Sequence, residues 1–329
     1  MRIFITRPIP EAGIKLLQNN GYEVVINELA DDRPASKEEI IVALRQARGE
    51  GKPFDALLCT LTEKIDGEIM DAALPQLKII ANMAVGFDNI DLEAVKARNI
   101  MVANTPGVLT NTVAEHTFAL MLAISHRIAE GDKFTRAGLY KAWGPMLLLG
   151  SDLSGKTLGI IGLGRIGSRV AHHAVKGFGM KVLYTDLKPS FEFENQFGAQ
   201  YIQNIDDLLP RCDYVSLHVP LLDSTRHLMD EKRLKLMKKS AYLINTSRGP
   251  IVDEKALAQS LSKGWIRGAA IDVFENEPKV ETGLLKLNNV ILTPHIASAT
   301  EETRNKMAEL AAQNIIEAFE GRIPPNLVK

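Results

Sequence analysis

The feature that most constrains this chain is a glycine hexapeptide set between an apolar run and a helical one. Gly162-Leu163-Gly164-Arg165-Ile166-Gly167 directly follows TLGII (157–161) and opens a helical pattern from about residue 165. In that setting the first glycine permits a tight turn, the second lets backbone approach a pyrophosphate, and the third lets helix and strand pack closely. The helix start then presents unpaired N–H groups at the positive end of its dipole. Nineteen positions beyond Gly167, strand-like KVLYT (181–185) ends at Asp186, the offset at which a carboxylate reaches the adenosine ribose hydroxyls. Such a carboxylate repels a 2′-phosphate, so Asp186 favours NAD over NADP. Lys188, two residues on, offsets part of that repulsion and leaves NADP open.

Around this turn the chain alternates between short apolar runs and helix-length amphipathic segments. After residue 155, strands are expected at 157–161, 181–185, 214–219, 241–245, 268–273 and 289–293, with helices between them and a last helix at 301–320. Six strands with crossover helices make a complete doubly wound parallel sheet. Residues 1–105 alternate in the same way, through RIFIT, YEVVIN, FDALLC, LKIIANMA and IMVANT, and predict a second parallel α/β unit. Between the two, residues 113–128 are apolar around most of a helical circumference and read as one buried helix. Residues 138–154, with Gly, Pro and Trp and no clear period, read as an extended loop.

The chain's 329 residues suit about two domains. With 46% apolar and 24% charged residues it has an ordinary globular composition rather than that of a disordered chain. Thirty-nine Lys and Arg balance forty Asp and Glu, so no global positive field exists to hold nucleic acid. Cys59 and Cys212 lie far apart in sequence and outside any C-x-x-C spacing, which argues for a reducing compartment, the cytoplasm, and against disulfide or zinc frameworks. Arg7 and Pro8 interrupt the apolar start, unlike a signal peptide. The longest apolar run, 118–124, is far below the ~20 residues needed to cross a bilayer.

Ligands of open α/β sheets sit outside the carboxyl ends of the strands, and the residues following each strand of the second unit are unusually polar. After the glycine loop and Asp186 come His218 and Pro220, then Arg248, Asp272 and His295. Fold maintenance alone asks for no such rim of ionisable groups. An imidazole at His295 suits general acid–base work. A carboxylate at either Glu277 or Glu275 could hold its protonated form. Arg248 offers a permanently charged planar fork for a carboxylate or carbonyl oxygen. His116, His126, His172, His173 and His227 read as packing or surface residues. The chain carries no H-E-x-x-H, metal-spaced carboxylate cluster or G-x-S-x-G elbow, so a metal or acyl-enzyme mechanism has no support.

The chain resembles the D-isomer-specific 2-hydroxyacid dehydrogenases over essentially its whole length. The resemblance is carried by VGFDNID (85–91), TVAEH (112–116), GKTLGIIGLGRIG (155–167), SLHVPL (216–221), INTSRGPIVDE (244–254), GAAIDVFENEP (268–278) and TPHIASAT (293–300). Within the family, LLCTLTEKID (57–66), WGPMLLLG (143–150) and HIASAT resemble the glyoxylate and hydroxypyruvate reductase branch, many of whose members carry an NADPH-selecting cluster where this chain has Asp186. The resemblance implies Arg248 as the substrate-binding arginine, His295 as the acid–base, and Glu277 rather than Glu275 as its partner. It implies a cofactor surface of Gly162, Gly164, Arg165, Ile166, Gly167, Asp186, His218, Pro220, Thr246, Thr112 and Asp272, the last on the nicotinamide carboxamide. It also implies a substrate pocket of Val85, Gly86, Leu61, Trp143, Arg248, His295 and Ser298, with the amides of Val85 and Gly86 on the substrate carboxylate.

The fold implied is a Rossmann-type NAD-binding domain at 103–296 and a flavodoxin-like substrate-binding domain at 1–102 with 297–329. The activity implied is reduction of a small 2-oxo acid, glyoxylate or hydroxypyruvate, in a cytoplasmic homodimer that binds neither nucleic acid nor membrane. D-lactate, D-glycerate and phosphoglycerate chemistry are the neighbouring alternatives. Formate oxidation is disfavoured because formate-oxidising relatives lack the Glu277 partner. A dinucleotide-sensing corepressor, which would keep the same triad, is the alternative from another class.

Overall fold

In the computed structural model, which describes residues 1–29 and 33–328, the chain divides into two units. One comprises Met1–Leu109 with Ala299–Lys329, the other Thr110–Ser298. The first is built on a parallel sheet of β1 (Arg2–Ile5), β2 (Glu23–Ile26), β3 (Ala56–Cys59), β4 (Ile79–Asn82) and β5 (Met101–Ala103), in the order β2-β1-β3-β4-β5. This is the flavodoxin-like doubly wound order. Because β5 pairs with β4 from Met101 to Ala103, the first unit continues past the boundary expected at residue 102. Every residue of β3 and β4 is buried, as befits strands covered on both faces. On one face Phe4, Leu57, Ile80 and Val102 pack with Ile40, Leu44, Ile69 and Met70 from the covering helices.

The terminal helix Glu301–Phe319 belongs to this first unit and lies on helix Glu11–Asn19. Their approach is close enough that a Cβ on Gly13 would come within 2.6 Å of the Ala308 carbonyl oxygen. Ser36 and Glu39 close a reciprocal capping box at the start of helix Lys37–Gly49, satisfying two amides that the helix cannot pair internally.

The second unit holds β6 (Thr157–Ile161), β7 (Lys181–Thr185), β8 (Gln200–Tyr201), β9 (Tyr214–Leu217), β10 (Tyr242–Asn245), β11 (Gly268–Ile271) and β12 (Val290–Leu292). Their order is β12-β11-β10-β9-β6-β7-β8, all parallel. The strand order reverses beside β6, which places the glycine turn at the topological switch point. Alternate residues divide between the two faces: Leu158, Ile160, Tyr214, Tyr242 and Ile244 pack with Phe118, Met121 and Val170. Ile161, Val215, Leu217 and Leu243 pack with Leu208, Leu234 and Leu257 on the other face. Each such fully buried side chain contributes about 1.5–3 kcal/mol.

Three expectations need correction. The sheet has a seventh strand, β8, whose two residues are too few to produce a periodic signal. The helix expected at 113–128 runs Thr110–Ser125 instead, and a second helix, Ile128–Arg136, follows it, parted from it at Arg127, whose φ is 56°. That left-handed residue ends the first helix, and its guanidinium is then held at 2.7 Å by Glu130. The strands expected at 214–219 and 268–273 end at Leu217 and Ile271, so His218 and Asp272 stand just beyond the ladders. Residues 137–156 contain no helix or strand. No helix among the described residues is long and apolar enough to cross a membrane.

Candidate active site

The glycine turn has the shape a dinucleotide needs. Gly162 has φ 95°, and a Cβ there would lie 2.8 Å from the His218 carbonyl group. A Cβ on Gly167 would lie 2.0 Å from the Gly162 carbonyl oxygen, so no other residue fits without moving backbone. Around Gly164 the opposite holds, with no atom within 4 Å of the Cβ position. That open space lies where a pyrophosphate would approach. Gly164 also caps helix Arg165–Phe178 without any side-chain hydrogen bond, leaving the first-turn amides near Arg165 and Ile166 to an anion. Asp186, at the end of β7, accepts the Leu163 amide at 2.6 Å and the Leu187 amide at 2.6 Å. The carboxylate is thereby fixed to the glycine loop and keeps lone pairs for ribose hydroxyls. These residues fit a nicotinamide dinucleotide.

Just beyond β9, His218 places Nε2 2.8 Å from the Ser216 hydroxyl. Although the residue retains some exposed surface, burial of its ring pushes its pKa down to about 3, so the imidazole is neutral. Pro220, two residues further on, is exposed. Thr246, at the end of β10, is buried with its hydroxyl 3.0 Å from that of Thr117. Thr112 lies in the first turn of helix Thr110–Ser125.

Arg248 is presented by a turn that Asn245 organises from within. The buried Asn245 donates to the Arg248 carbonyl at 2.9 Å and accepts the Ser247 amide and hydroxyl at 3.1 and 2.8 Å. Next to it, Gly249 packs directly on the loop after β11: a Cβ at this position would fall 1.9 Å from the Phe274 carbonyl carbon. That contact brings the Arg248 turn against the loop bearing Glu277. In turn, Glu277 accepts the Phe274 amide at 3.0 Å through Oε1 and meets His295 Nδ1 at 3.0 Å through Oε2. Burial opposes charge on Glu277, but the His295 hydrogen bond and charge, the Phe274 amide and Arg248 outweigh it and hold its carboxyl below the ordinary range. Arg248, Glu277 and His295 therefore converge on one rim. Glu275 is turned elsewhere, with Oε1 2.7 Å from His227 Nε2.

Asp272 holds the backbone from which His295 projects. It is fully buried and accepts the Thr293 hydroxyl at 2.7 Å, the Ile296 amide at 2.9 Å and the Ala297 amide at 2.8 Å. Burial disfavours its charge, yet the bonds from His116, Thr293 and the two amides prevail and lower its pKa. The Asp272 carbonyl also accepts the amide of His295, at 2.8 Å, where φ is +54°. Both oxygens of Asp272 are engaged by the loop 293–297, Oδ1 twice and Oδ2 once. His116, read from the sequence as a packing residue, stands 3.5 Å from the Thr293 hydroxyl and 3.6 Å from Asp272 Oδ1. Ser298 follows this loop, half-buried.

The remaining expected residues occupy other places. Val85 and Gly86 follow β4 in the first unit, with their carbonyls accepting from Asn104 at 2.7 Å and Asn82 at 2.9 Å. Leu61 follows β3 in a loop braced by the buried Glu63, which accepts from Thr60 and Thr62. Trp143 is 81% exposed in the strandless segment of the second unit. Sequence reasoning missed the inner supports Asn245, Thr117, His116 and Glu254. Only the run N-T-S-R, with a short amide side chain at a strand end, carried a usable turn signal.

Comparison with known proteins agrees with this geometry. Residues 118–297 match the family model described as D-isomer specific 2-hydroxyacid dehydrogenase, NAD binding domain. The chain is 48% identical over 329 residues to a glyoxylate reductase of Korarchaeum cryptofilum (strain OPF8), covering 99% of this chain and 95% of that one. Among solved structures it resembles the TT0316 protein from Thermus thermophilus, with 41% identity, full coverage of both chains and a TM-score of 0.91. It also resembles an NADPH-dependent glyoxylate/hydroxypyruvate reductase from Sinorhizobium meliloti in complex with NADP and malonate, at 31% identity and TM-score 0.83 over 99% of this chain and 96% of that one. With a nicotinamide-dinucleotide fold and a Glu277–His295 pair on its rim, the chain belongs to the family of D-isomer specific 2-hydroxyacid dehydrogenases.

Proposed function

We propose that the protein reduces glyoxylate or hydroxypyruvate to the corresponding 2-hydroxy acid, of D configuration where the carbon is stereogenic, with NADH as the favoured reductant. The observation that carries this reading is the contact of His295 with Glu277 beside the Arg248 turn. The bound nicotinamide supplies the two reducing electrons as hydride. On the protein side, the carboxylate of Glu277 steadies a protonated imidazole, and His295 passes its proton through Nε2 to the carbonyl oxygen. Arg248 pairs with the substrate carboxylate and the charge that develops on that oxygen.

Support for NADH over NADPH comes from Asp186, a carboxylate at the strand end with no compensating cation nearer than Lys188 in sequence. The Sinorhizobium meliloti relative uses NADPH, so the choice is argued from this chain's own residue. A homodimer is supported by exposed apolar residues clustered in one segment: Leu139, Tyr140, Trp143, Met146, Leu147 and Leu149. Monomeric surfaces seldom leave so many large apolar side chains together. The two free, buried cysteines suit a cytoplasmic setting.

The deciding measurement is kcat/KM for glyoxylate, hydroxypyruvate and pyruvate with NADH and with NADPH, on protein whose mass in solution is known from light scattering. Glyoxylate or hydroxypyruvate should lead pyruvate, and NADH should lead NADPH. Dinucleotide binding without turnover of any 2-oxo acid would overturn the enzymatic reading.

A further inference from the structure

The loop that carries Glu277 is tied down at both ends by a single buried carboxylate that plays no part in the chemistry described so far. Glu254 opens helix Glu254–Ser262 and is 4% exposed. Its Oε1 accepts the Glu275 amide at 2.5 Å, and its Oε2 accepts the Glu281 amide at 3.1 Å. Between those two anchors lies the segment 275–281, with Glu277 near its start. Inside it, Lys279 donates its amide to the Asn276 carbonyl at 2.9 Å. An outer tie completes the arrangement, where the Glu275 carboxylate meets His227 at 2.7 Å. Gly249, five residues before Glu254, packs on the same loop at Phe274 and Glu275.

The cost of this arrangement argues that it serves a purpose. A buried carboxylate is expensive in an apolar setting. Burial raises the pKa of Glu254, and the like charges of Glu275 and Glu281 add to the rise, against the two amide bonds that lower it. An ordinary turn would satisfy those amides with carbonyls or water. A bidentate side chain instead fixes two points of one loop to one rigid helix end, so the loop cannot slide along the sheet rim without breaking both bonds.

We propose that Glu254 is a positioning residue for Glu277, fixing the loop 275–281 so that the Glu277 carboxylate stays in register with His295 Nδ1. The inference rests on the reading in which His295 delivers the proton and Glu277 steadies its protonated form. Misplacement of a catalytic group by about 1 Å can cost roughly a hundredfold in rate. Glu254 therefore acts through Glu277, and its loss resembles the loss of Glu277 in kind.

The test compares the pH profile of kcat/KM for glyoxylate reduction in the wild type, Glu277→Gln, Glu254→Gln and the double variant. A glutamine at 254 keeps the shape but offers one acceptor and turns an NH2 toward the second amide. The alkaline limb of Glu254→Gln is expected to move toward lower pH in the direction of Glu277→Gln, with kcat/KM down about tenfold or more. The double variant should match Glu277→Gln alone, because the two act in one chain. NADH affinity should not change. Glu254→Gln that folds, loses only thermal stability and keeps the wild-type limb would overturn the proposal while leaving the reading of Glu277 intact. An unmoved limb in Glu277→Gln would instead overturn that reading. Should Glu254→Gln fail to fold, Glu254→Asp, which reaches about one bond short, and His227→Ala, which cuts the outer tie, decide on the same limb: movement supports the proposal and a wild-type limb in both overturns it.

Discussion

His295 turns Nδ1 toward Glu277, 3.0 Å from Oε2, and this single contact assigns the two ring nitrogens different tasks. The carboxylate orients the ring through one nitrogen, and Nε2 is left to exchange a proton with substrate. His295→Asn should lower kcat by about 10²–10⁴-fold while NADH binding, followed by fluorescence titration, is unchanged. Wild-type turnover in this variant would remove the proposed acid.

The carboxylate side of the pair has its own pH signature. Burial works against charge on Glu277, but His295, the Phe274 amide and Arg248 hold its carboxyl below the ordinary range. A carboxylate with a depressed folded pKa stabilises the fold above its unfolded value, and that stability is lost as pH falls through the folded value. The pair should therefore persist through mild acidification to about pH 5, above the unperturbed glutamate range. Glu277→Gln should remove stability at pH 7 and leave less to lose below pH 4. Parallel melting curves of wild type and variant across the acid range would contradict this.

Arg248 is tested most sharply by lysine, which keeps the charge but loses the planar fork. Arg248→Lys should lower kcat/KM for glyoxylate by about a hundredfold, with most of the loss shared between substrate capture and stabilisation of the developing oxyanion. Cofactor affinity should hold. Equal kinetics in the lysine variant would mean that charge alone, not bidentate geometry, is used.

What could be read from the chain in advance divides along a physical line. The glycine turn, Asp186, and the polar residues after the strands were legible because each sits at a fixed offset from an apolar run, and β6 and β7 have the bounds expected from TLGII and KVLYT. The convergence of Arg248, Glu277 and His295 followed from strand ends sharing one rim together with a family resemblance; spacing alone left Glu275 and Glu277 equivalent. Structure separates them, because Glu275 reaches His227 and Glu277 reaches His295. The supports were not legible. Glu254 sits in a run that reads as an ordinary helix start, and His116 lies on a helix whose apolar character made it look like filler. Their partners are 27 and 177 positions away in sequence, and no local pattern encodes such distances. Arg127 was missed for a different reason: a left-handed residue other than glycine leaves no compositional mark.

Close backbone packing at Gly249 gives a prediction that joins stability to activity. A Cβ there would overlap the Phe274 carbonyl carbon at 1.9 Å, and neither partner is a flexible side-chain end. Gly249→Ala must push apart the turn bearing Arg248 and the loop bearing Glu277. The expected loss is about 1–3 kcal/mol of stability from overpacking, visible as a lower urea midpoint, with kcat/KM falling further than the stability loss alone explains. A variant that loses stability but retains full kcat/KM would show that the two loops act independently.

Acid sensitivity provides the last prediction, and its sign follows from His218. Burial lowers the pKa of this imidazole to about 3, whereas in the unfolded chain it titrates near 6.5. Above pH 6.5 neither state binds the proton, so the group is neutral in the balance. As pH falls, the unfolded chain takes up a proton that the folded one refuses, and stability is lost progressively until the folded value near 3 is reached. Between pH 7 and pH 5, before most carboxylates titrate, the loss should be about 2 kcal/mol. His218→Gln removes the titration and keeps a hydrogen-bonding group beside Ser216, whose hydroxyl is the imidazole's 2.8 Å neighbour. The variant is expected to start less stable at pH 7 and to lose less between pH 7 and pH 5, so the two stability curves converge. Curves that stay parallel over that interval would mean that the ring titrates in the folded protein as it does in the unfolded chain.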